Sequence, residues 1–377
     1  MAVRLSVDRA RAFMLGHHGL RRDLPEAGAA GLERLLRERR CIQLDPLDRI
    51  GTNADLVALA RVAGVRRGDL HLHLRGRAFE HFAKERCLLP AEAFPYYRHQ
   101  AAETPWWRLS EREARLPAAL TEAVRAEIAA RGPVTAEALT DRGRVEAIDW
   151  SGWKGTSKAS TMALEVLWTR CQVVVCGRTA TGGRLYDVPE RALPAHATTV
   201  PDEPFARWAL RERVEAAGLL PRTAGPWWSM LSSVRTGPVP DALVAEGVLE
   251  EVEIEGARTR YLAPAGVAER SDRHAHDDDD GRMRFLGPLD PMLWYRPLVS
   301  QVFGFDYVWE VYKPAEKRAY GWYVCPILHE GALVGRFEGH FDATAGEIVV
   351  TGLWPESGRR FDRRAFRRAL KRHAAAM

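Results

Sequence analysis

Apolar positions recur at helical spacing in several stretches of the chain. Leu32, Leu35 and Leu36 predict a helix over Gly28 to Arg39, and Ser6 or Asp8 can open a shorter one through Arg9 to Leu15. Thr52 or Asn53 can cap a further helix over Ala54 to Val62. Between them, Ile42-Gln43-Leu44-Asp45 alternates apolar and polar positions. A strand's period of two places Gln43 and Asp45 on one face and sends Ile42 and Leu44 into a core. That pairs a carboxylate with an amide in a chain that holds only four glutamines.

The alternation of helix and hairpin continues. A short helix is expected to start at Pro133-Val134-Thr135 and a longer amphipathic one to run from Ser157 to Arg170. Cys171 to Arg178 and Arg184 to Val188 form a hairpin around Thr179-Ala180-Thr181-Gly182-Gly183. This is the order of a winged helix-turn-helix, in which the longer helix enters the major groove. Ala206 to Ala217, Asp241 to Glu246, and a hairpin of Leu249 to Glu255 with Arg258 to Leu262 turning at Gly256 repeat that order loosely. The acidic run Ser271 to Gly281 reads as a solvated linker. Four consecutive aspartates repel one another and lack the ordered spacing of a metal site. Beyond it, Tyr307 to Tyr312, Tyr320 to Leu328, Ala332 to Asp342 and Glu347 to Thr351 read as strands. Arg359 to Arg372 reads as a helix with basic pairs at 359/360, 363/364, 367/368 and 371/372.

The expectation is therefore an α+β chain of three tandem winged-helix subdomains followed by a small C-terminal antiparallel β-barrel. Its divisions fall at 1–115 with the Gln-x-Asp motif, 116–200, 201–270, the acidic linker 271–282, and 283–377.

With 377 residues, 46% of them hydrophobic and 28% charged, the chain can bury ample core in two to four modules. No apolar run approaches a membrane span, so a cytoplasmic protein without a membrane partner is expected. The five cysteines show no CxxC spacing and read as buried thiols. His17-His18 and His71-x-His73 lack ligand partners at metal spacing and read as surface or capping residues. Neither metal nor cofactor is expected. The net charge of +5 favours a polyanionic partner. Arginine far outnumbers lysine, as a GC-rich genome would produce, so placement matters more than the total.

Several stretches together resemble the bacterial winged-helix DNA glycosylases of the AlkZ/AlkX (YcaQ) type. They are Ile42-Gln43-Leu44-Asp45, Leu88-Leu89-Pro90, Gly152-Trp153-Lys154, Leu185 to Arg191, Leu289-Asp290-Pro291, Phe303 to Tyr307 and Tyr312-Lys313-Pro314-Ala315-Glu316-Lys317-Arg318-Ala319-Tyr320-Gly321. The resemblance implies three winged-helix subdomains and a β-barrel around a positively charged channel. It also implies excision of alkylated purines, including bulky adducts and interstrand crosslinks. Gln-apolar-Asp matches the crosslink-unhooking branch, with Gln43 and Asp45 as the catalytic positions. The chain departs from its relatives at Lys84-Glu85-Arg86-Cys87, where they commonly show His-Glu-Ala, and at Gly51-Thr52-Asn53-Ala54-Asp55, where they tend to carry histidines.

The chemistry fits independently. Alkylation at purine N7 leaves a cationic base that departs without protonation, so one carboxylate suffices. Asp45 stabilises the oxocarbenium-like sugar and takes a proton from water, Gln43 holds that water, and surrounding cations keep Asp45 ionised. The expected partner of this monomer is double-stranded DNA carrying alkylated purines. Its expected DNA contacts are Asn53, Lys84, Lys154, Lys158, Arg178, Arg184, Lys317, Arg318, Arg363 and Arg367, with Lys154 and Lys158 at helical spacing. A non-catalytic winged-helix DNA-binding regulator would share the wings and the basic helices, and base release separates the two readings.

Overall fold

A computed structural model describes residues 2–101, 109–148 and 155–377. They form two compact units. One comprises Met1–His73, Phe82–Cys87 and Ala209–Met377, and the other Leu74–His81 and Leu88–Trp208.

The first unit opens with a strand, Val3–Leu5, that pairs in parallel with Leu249–Ile254. The antiparallel Arg260–Pro264 and the short Leu220–Pro221 complete that sheet. Ser6 caps the helix Val7–His17 by accepting from the Arg9 amide, and Gly28–Arg39 forms a helix at the expected bounds. Thr52 and Asp55 make a reciprocal capping box on the helix Asn53–Leu59, which satisfies two of its free amides. The Ser271 to Gly281 run is no free tether. Ser271 to Ala275 finish the helix Val267–Ala275, and the Asp280 carboxylate accepts from Arg284 at 2.5 and 2.8 Å.

The expected C-terminal barrel is not present. Arg284–Phe285, Val324–His329, Ala332–Asp342 and Glu347–Pro355 make an open four-stranded sheet in that order, and no sheet of the described residues closes on itself. Closure would require the first and last strands to pair along their length. The first is only two residues long, and the apolar face is covered instead by the C-terminal helix Arg363–Ala374, whose Phe366 packs on Phe285 and Phe337. Tyr307 to Tyr312 is not a strand either. Phe305 and Tyr307 are buried while Asp306 and Val308 are exposed, which reproduces a strand's alternation without its ladder.

The second unit carries the wing. Val174–Arg178 pairs with Arg184–Asp187, and Val134 adds a bridge to Tyr186. That bridge, with a single turn at Thr135 to Ala138, replaces the helix expected from Pro133. The following helix is Ala159–Thr169, and only Thr161 and Glu165 of its eleven residues are not buried. It is a core helix, so it has little to offer a DNA groove. The whole is an α+β fold with several winged-helix-like combinations of helix and hairpin.

Candidate active site

The Gln-x-Asp segment folds differently from a simple strand. Only Ile42–Gln43 is strand, continued by one hydrogen bond from the Leu44 amide to the Arg86 carbonyl at 2.8 Å. Ile42 is fully buried as expected, but Gln43 is buried too, at 6% exposure, and Leu44 is half-buried. Asp45 lies past the strand end, where its Oδ1 accepts from the Leu47 amide at 2.9 Å, closing a local turn around Pro46. The second carboxylate oxygen has no hydrogen-bond partner among the described residues. Burial raises the Asp45 carboxyl above its ordinary value, opposed only by the Leu47 amide. This reverses the expected ionising influence of surrounding cations, because among the described residues burial outweighs any such influence.

Gln43 is held from two sides. Asn53 Nδ2 donates to its backbone carbonyl at 2.8 Å, and Lys84 Nζ donates to its side-chain Oε1 at 3.0 Å. An ammonium can only donate, so this contact fixes which end of the amide faces inward. Gln43 Nε2 is left as the donor on offer. Lys84 precedes Glu85, which has a left-handed backbone (φ +59°), and sits 5.1 Å from the centre of the Trp294 ring. Burial, more than any neighbouring charge, lowers the Lys84 ammonium below its ordinary value.

Asn53 and Lys84 were expected to contact DNA and instead support the motif. Asn53 is 1% exposed, and its Oδ1 accepts from the Leu289 amide at 3.1 Å. Leu289-Asp290-Pro291 thereby gains a physical role. Asp290 makes a fully buried bidentate pair with Arg61, at 2.8 Å through each oxygen, and the indole N–H of Trp294 donates to the Leu289 carbonyl. One loop therefore supports both Asn53 and the ring beside Lys84. Sequence reading singled out the tripeptide but assigned it no task, since its partner Arg61 lies 229 residues away.

The other expected contacts are scattered. Lys154 lies outside the described residues. Lys158 is exposed but ends a strand, Thr156–Lys158, opposite Arg144, so the helical spacing assumed for it is absent. Arg178 and Arg184 both lie against the buried carboxylate of Glu80, which occupies their charge. Lys317 is exposed at the end of the short 3-10 helix Ala315–Lys317, and Arg318 beside it donates to the Lys313 carbonyl at 2.9 Å. Arg363 and Arg367 stand exposed on the C-terminal helix, with Arg364, Arg368, Lys371 and Arg372 also exposed and Ala365, Phe366, Ala369 and His373 buried beneath. The helix begins at Arg363, so that stripe holds three of the four basic pairs read from the sequence, and Arg359 and Arg360 lie before it.

All five cysteines are free and buried. His17 and His18 are core residues, not surface ones. Burial pushes His17 down to about 3, and its Nε2 meets the Glu215 carbonyl at 2.7 Å. Among the described residues no cluster of His, Cys, Asp or Glu could hold a metal ion, and no helix is long and apolar enough to cross a membrane.

The result is a small polar site, a buried amide locked by a buried lysine two residues from a half-buried carboxylate, on a winged-helix-like scaffold. Residues 16–376 match the family described as DNA glycosylase AlkZ-like, and the chain belongs to that family. Its structure is also similar to that of the Streptomyces sahachiroi DNA glycosylase AlkZ. The TM-score is 0.60 at 20% identity, over 99% of this chain and 97% of that one, a likeness of fold.

Proposed function

We propose that this chain is a monofunctional DNA glycosylase that hydrolyses the N-glycosidic bond of N7-alkylated purines, and that it belongs to the Gln-x-Asp branch, which acts on bulky adducts and crosslinks. The observation that carries the reading is the pairing of Asp45, with one unengaged carboxylate oxygen, and Gln43, whose amide is oriented by Lys84. Family membership over residues 16–376 supports it.

In this reading the cationic purine leaves with the electron pair of the C1′–N9 bond. Positive charge then develops on the sugar. Asp45 stabilises that charge and accepts the proton of the attacking water, while Gln43 Nε2 donates to oxygen atoms of the lesion nucleotide and orients it. Neither the cavity lined by Leu59, Arg284 and His373 nor the one lined by Met14, Trp227 and Trp294 includes Gln43 or Asp45. An adduct too bulky to be swallowed by a pocket is compatible with such a site. The cations of the C-terminal helix and Lys317 are assigned to the phosphate backbone.

Incubation with a duplex carrying N7-methylguanine, and separately with a nitrogen-mustard crosslinked duplex, tests the proposal. Released base with abasic sites is expected from both. Duplex binding with neither product would make the chain a DNA-binding regulator.

A further inference from the structure

The C-terminal helix Arg363–Ala374, the strand Arg284–Phe285 and the chain from Leu59 to Arg66 wall a cavity of about 360 Å³ whose lining includes Arg66, Arg282, Arg284 and Arg372. Two of these arginines converge on one peptide. Arg284 Nη1 donates to the Arg282 carbonyl at 3.1 Å, and Arg372 Nη2 donates to the Met283 carbonyl at 2.8 Å. Arg284 is otherwise engaged, through Nε with the Ala60 carbonyl and through both terminal nitrogens with Asp280 and Asp23. Arg282 is not. Its Nη1 pairs with Asp23, but its Nε is buried with no hydrogen-bond partner among the described residues. A buried donor left unpaired calls for an explanation. Among the described residues, the carboxylates paired with these four guanidiniums are Asp23 and Asp280, so two positive charges are in excess. Burial, then the like charges of Arg372 and Arg284, brings the Arg282 guanidinium down to about 10, and burial with Arg284 lowers Arg372 as well. Crowded cations of this kind are relieved by a bound anion.

We propose that this cavity is a binding site for a phosphate monoester of nucleotide size, held by Arg282, Arg372 and Arg66. Guanidinium forks match phosphate oxygens in geometry as well as charge, and the excess of two positive charges answers the roughly two negative charges of a monoester. Arg284, whose donors are all engaged, supplies charge and fixes the Arg282 backbone. The volume lies at the lower end of small-ligand sites, which begin at roughly 300 Å³, and it exceeds what a bare phosphate needs. Leu59, Val65 and Phe285 give the remaining wall an apolar surface suited to a sugar and base. Two sources carry that chemistry, a free mononucleotide and the phosphorylated end of a DNA strand. The inference goes beyond the glycosylase reading and requires no base excision, since neither Gln43 nor Asp45 lines this cavity.

Titration calorimetry at physiological salt with dAMP, deoxyadenosine and inorganic phosphate tests the proposal. One dAMP is expected to bind per chain, inorganic phosphate at least about tenfold more weakly, and deoxyadenosine not measurably. Arg282→Gln should weaken dAMP by about tenfold or more, and Arg282→Lys, which keeps the charge without the fork, should recover part of the loss. Should Arg282→Gln melt several degrees below wild type, Arg66→Gln, a change at an exposed residue, serves in its place and should also weaken dAMP. A single strand that displaces dAMP only when it carries a 5′-phosphate assigns the site to strand ends, and one that displaces it in neither form assigns the site to free nucleotides. Absence of dAMP binding, deoxyadenosine or inorganic phosphate binding as tightly as dAMP, wild-type affinity in both Gln variants, or equal displacement by the two forms of the strand would each overturn the inference. None of these outcomes bears on base release, so the glycosylase reading stands or falls separately.

Discussion

Lys84 Nζ donates to Gln43 Oε1 at 3.0 Å, a charge-assisted bond between two buried side chains. It makes the amide of Gln43 directional, and the cation is expected to matter through Gln43 rather than through phosphate. Charge-assisted bonds contribute roughly 1.5–3 kcal/mol, so Lys84→Met should lower single-turnover excision by about tenfold to a hundredfold. Lys84→Arg should retain part of the rate. Affinity for undamaged duplex should be nearly unaltered, as fluorescence anisotropy would show. A matching loss of affinity for all duplexes would return Lys84 to the phosphate contacts.

Asp45→Asn separates chemistry from architecture. Asparagine keeps an Oδ1 for the Leu47 amide, so the turn survives, but it cannot take a proton. The sign of the pH effect follows from the raised carboxyl of Asp45. A fold that favours the protonated form gains stability at low pH and loses it as pH rises through the raised value. At neutral pH the variant should therefore melt at the same temperature as wild type or higher. Wild type should gain relative to the variant only on acidification. A fall of several degrees at neutral pH would make Asp45 a structural residue.

The same shifts bound the pH profile of excision. The acid limb, from Asp45, should lie above the ordinary carboxylate value of 3.8, and the alkaline limb, from Lys84, below the ordinary lysine value of 10.5. Lys84→Met should remove the alkaline limb and leave the acid one. A flat profile across both ranges would assign the chemistry to other groups.

The Arg61–Asp290 pair is predicted to carry stability. Truncating Asp290 to Ala leaves a buried guanidinium uncompensated, a loss of roughly 3–5 kcal/mol in denaturant unfolding. Replacing both partners with apolar residues should cost far less. Equal costs for the single and double variants would contradict the pairing.

Arg363 and Arg367, exposed on the C-terminal helix, are expected to act without regard to lesion. Changing both to Gln should weaken damaged and undamaged duplex alike and reduce the slope of log affinity against log salt by up to about 1.8, the release of two counterions. A loss confined to damaged DNA would mean that this helix reads the lesion.

Much of the local structure was legible in the sequence, because helices with one apolar stripe and hairpins with glycine turns carry their own periodicity. Gly28–Arg39 and Ala332–Asp342 fall on their expected bounds. Closure of a sheet has no such local signal, and the barrel failed on the shortness of Arg284–Phe285 and on a helix covering the open face. The motif was visible as Gln43 and Asp45, but its surroundings were not. Asn53 and Lys84 are polar residues, which sequence alone assigns to the surface, and only the fold brings them to Gln43 from 10 and 41 positions away.

The most direct measurement of the central claim is single-turnover base release from an N7-methylguanine duplex by wild type and by Asp45→Asn, with melting temperature and duplex affinity taken on the same preparations. The account predicts release by wild type, and at least a hundredfold slower release by a variant that melts no lower and binds no more weakly. Release by Asp45→Asn at the wild-type rate would contradict it, as would wild type that binds the duplex and frees no base.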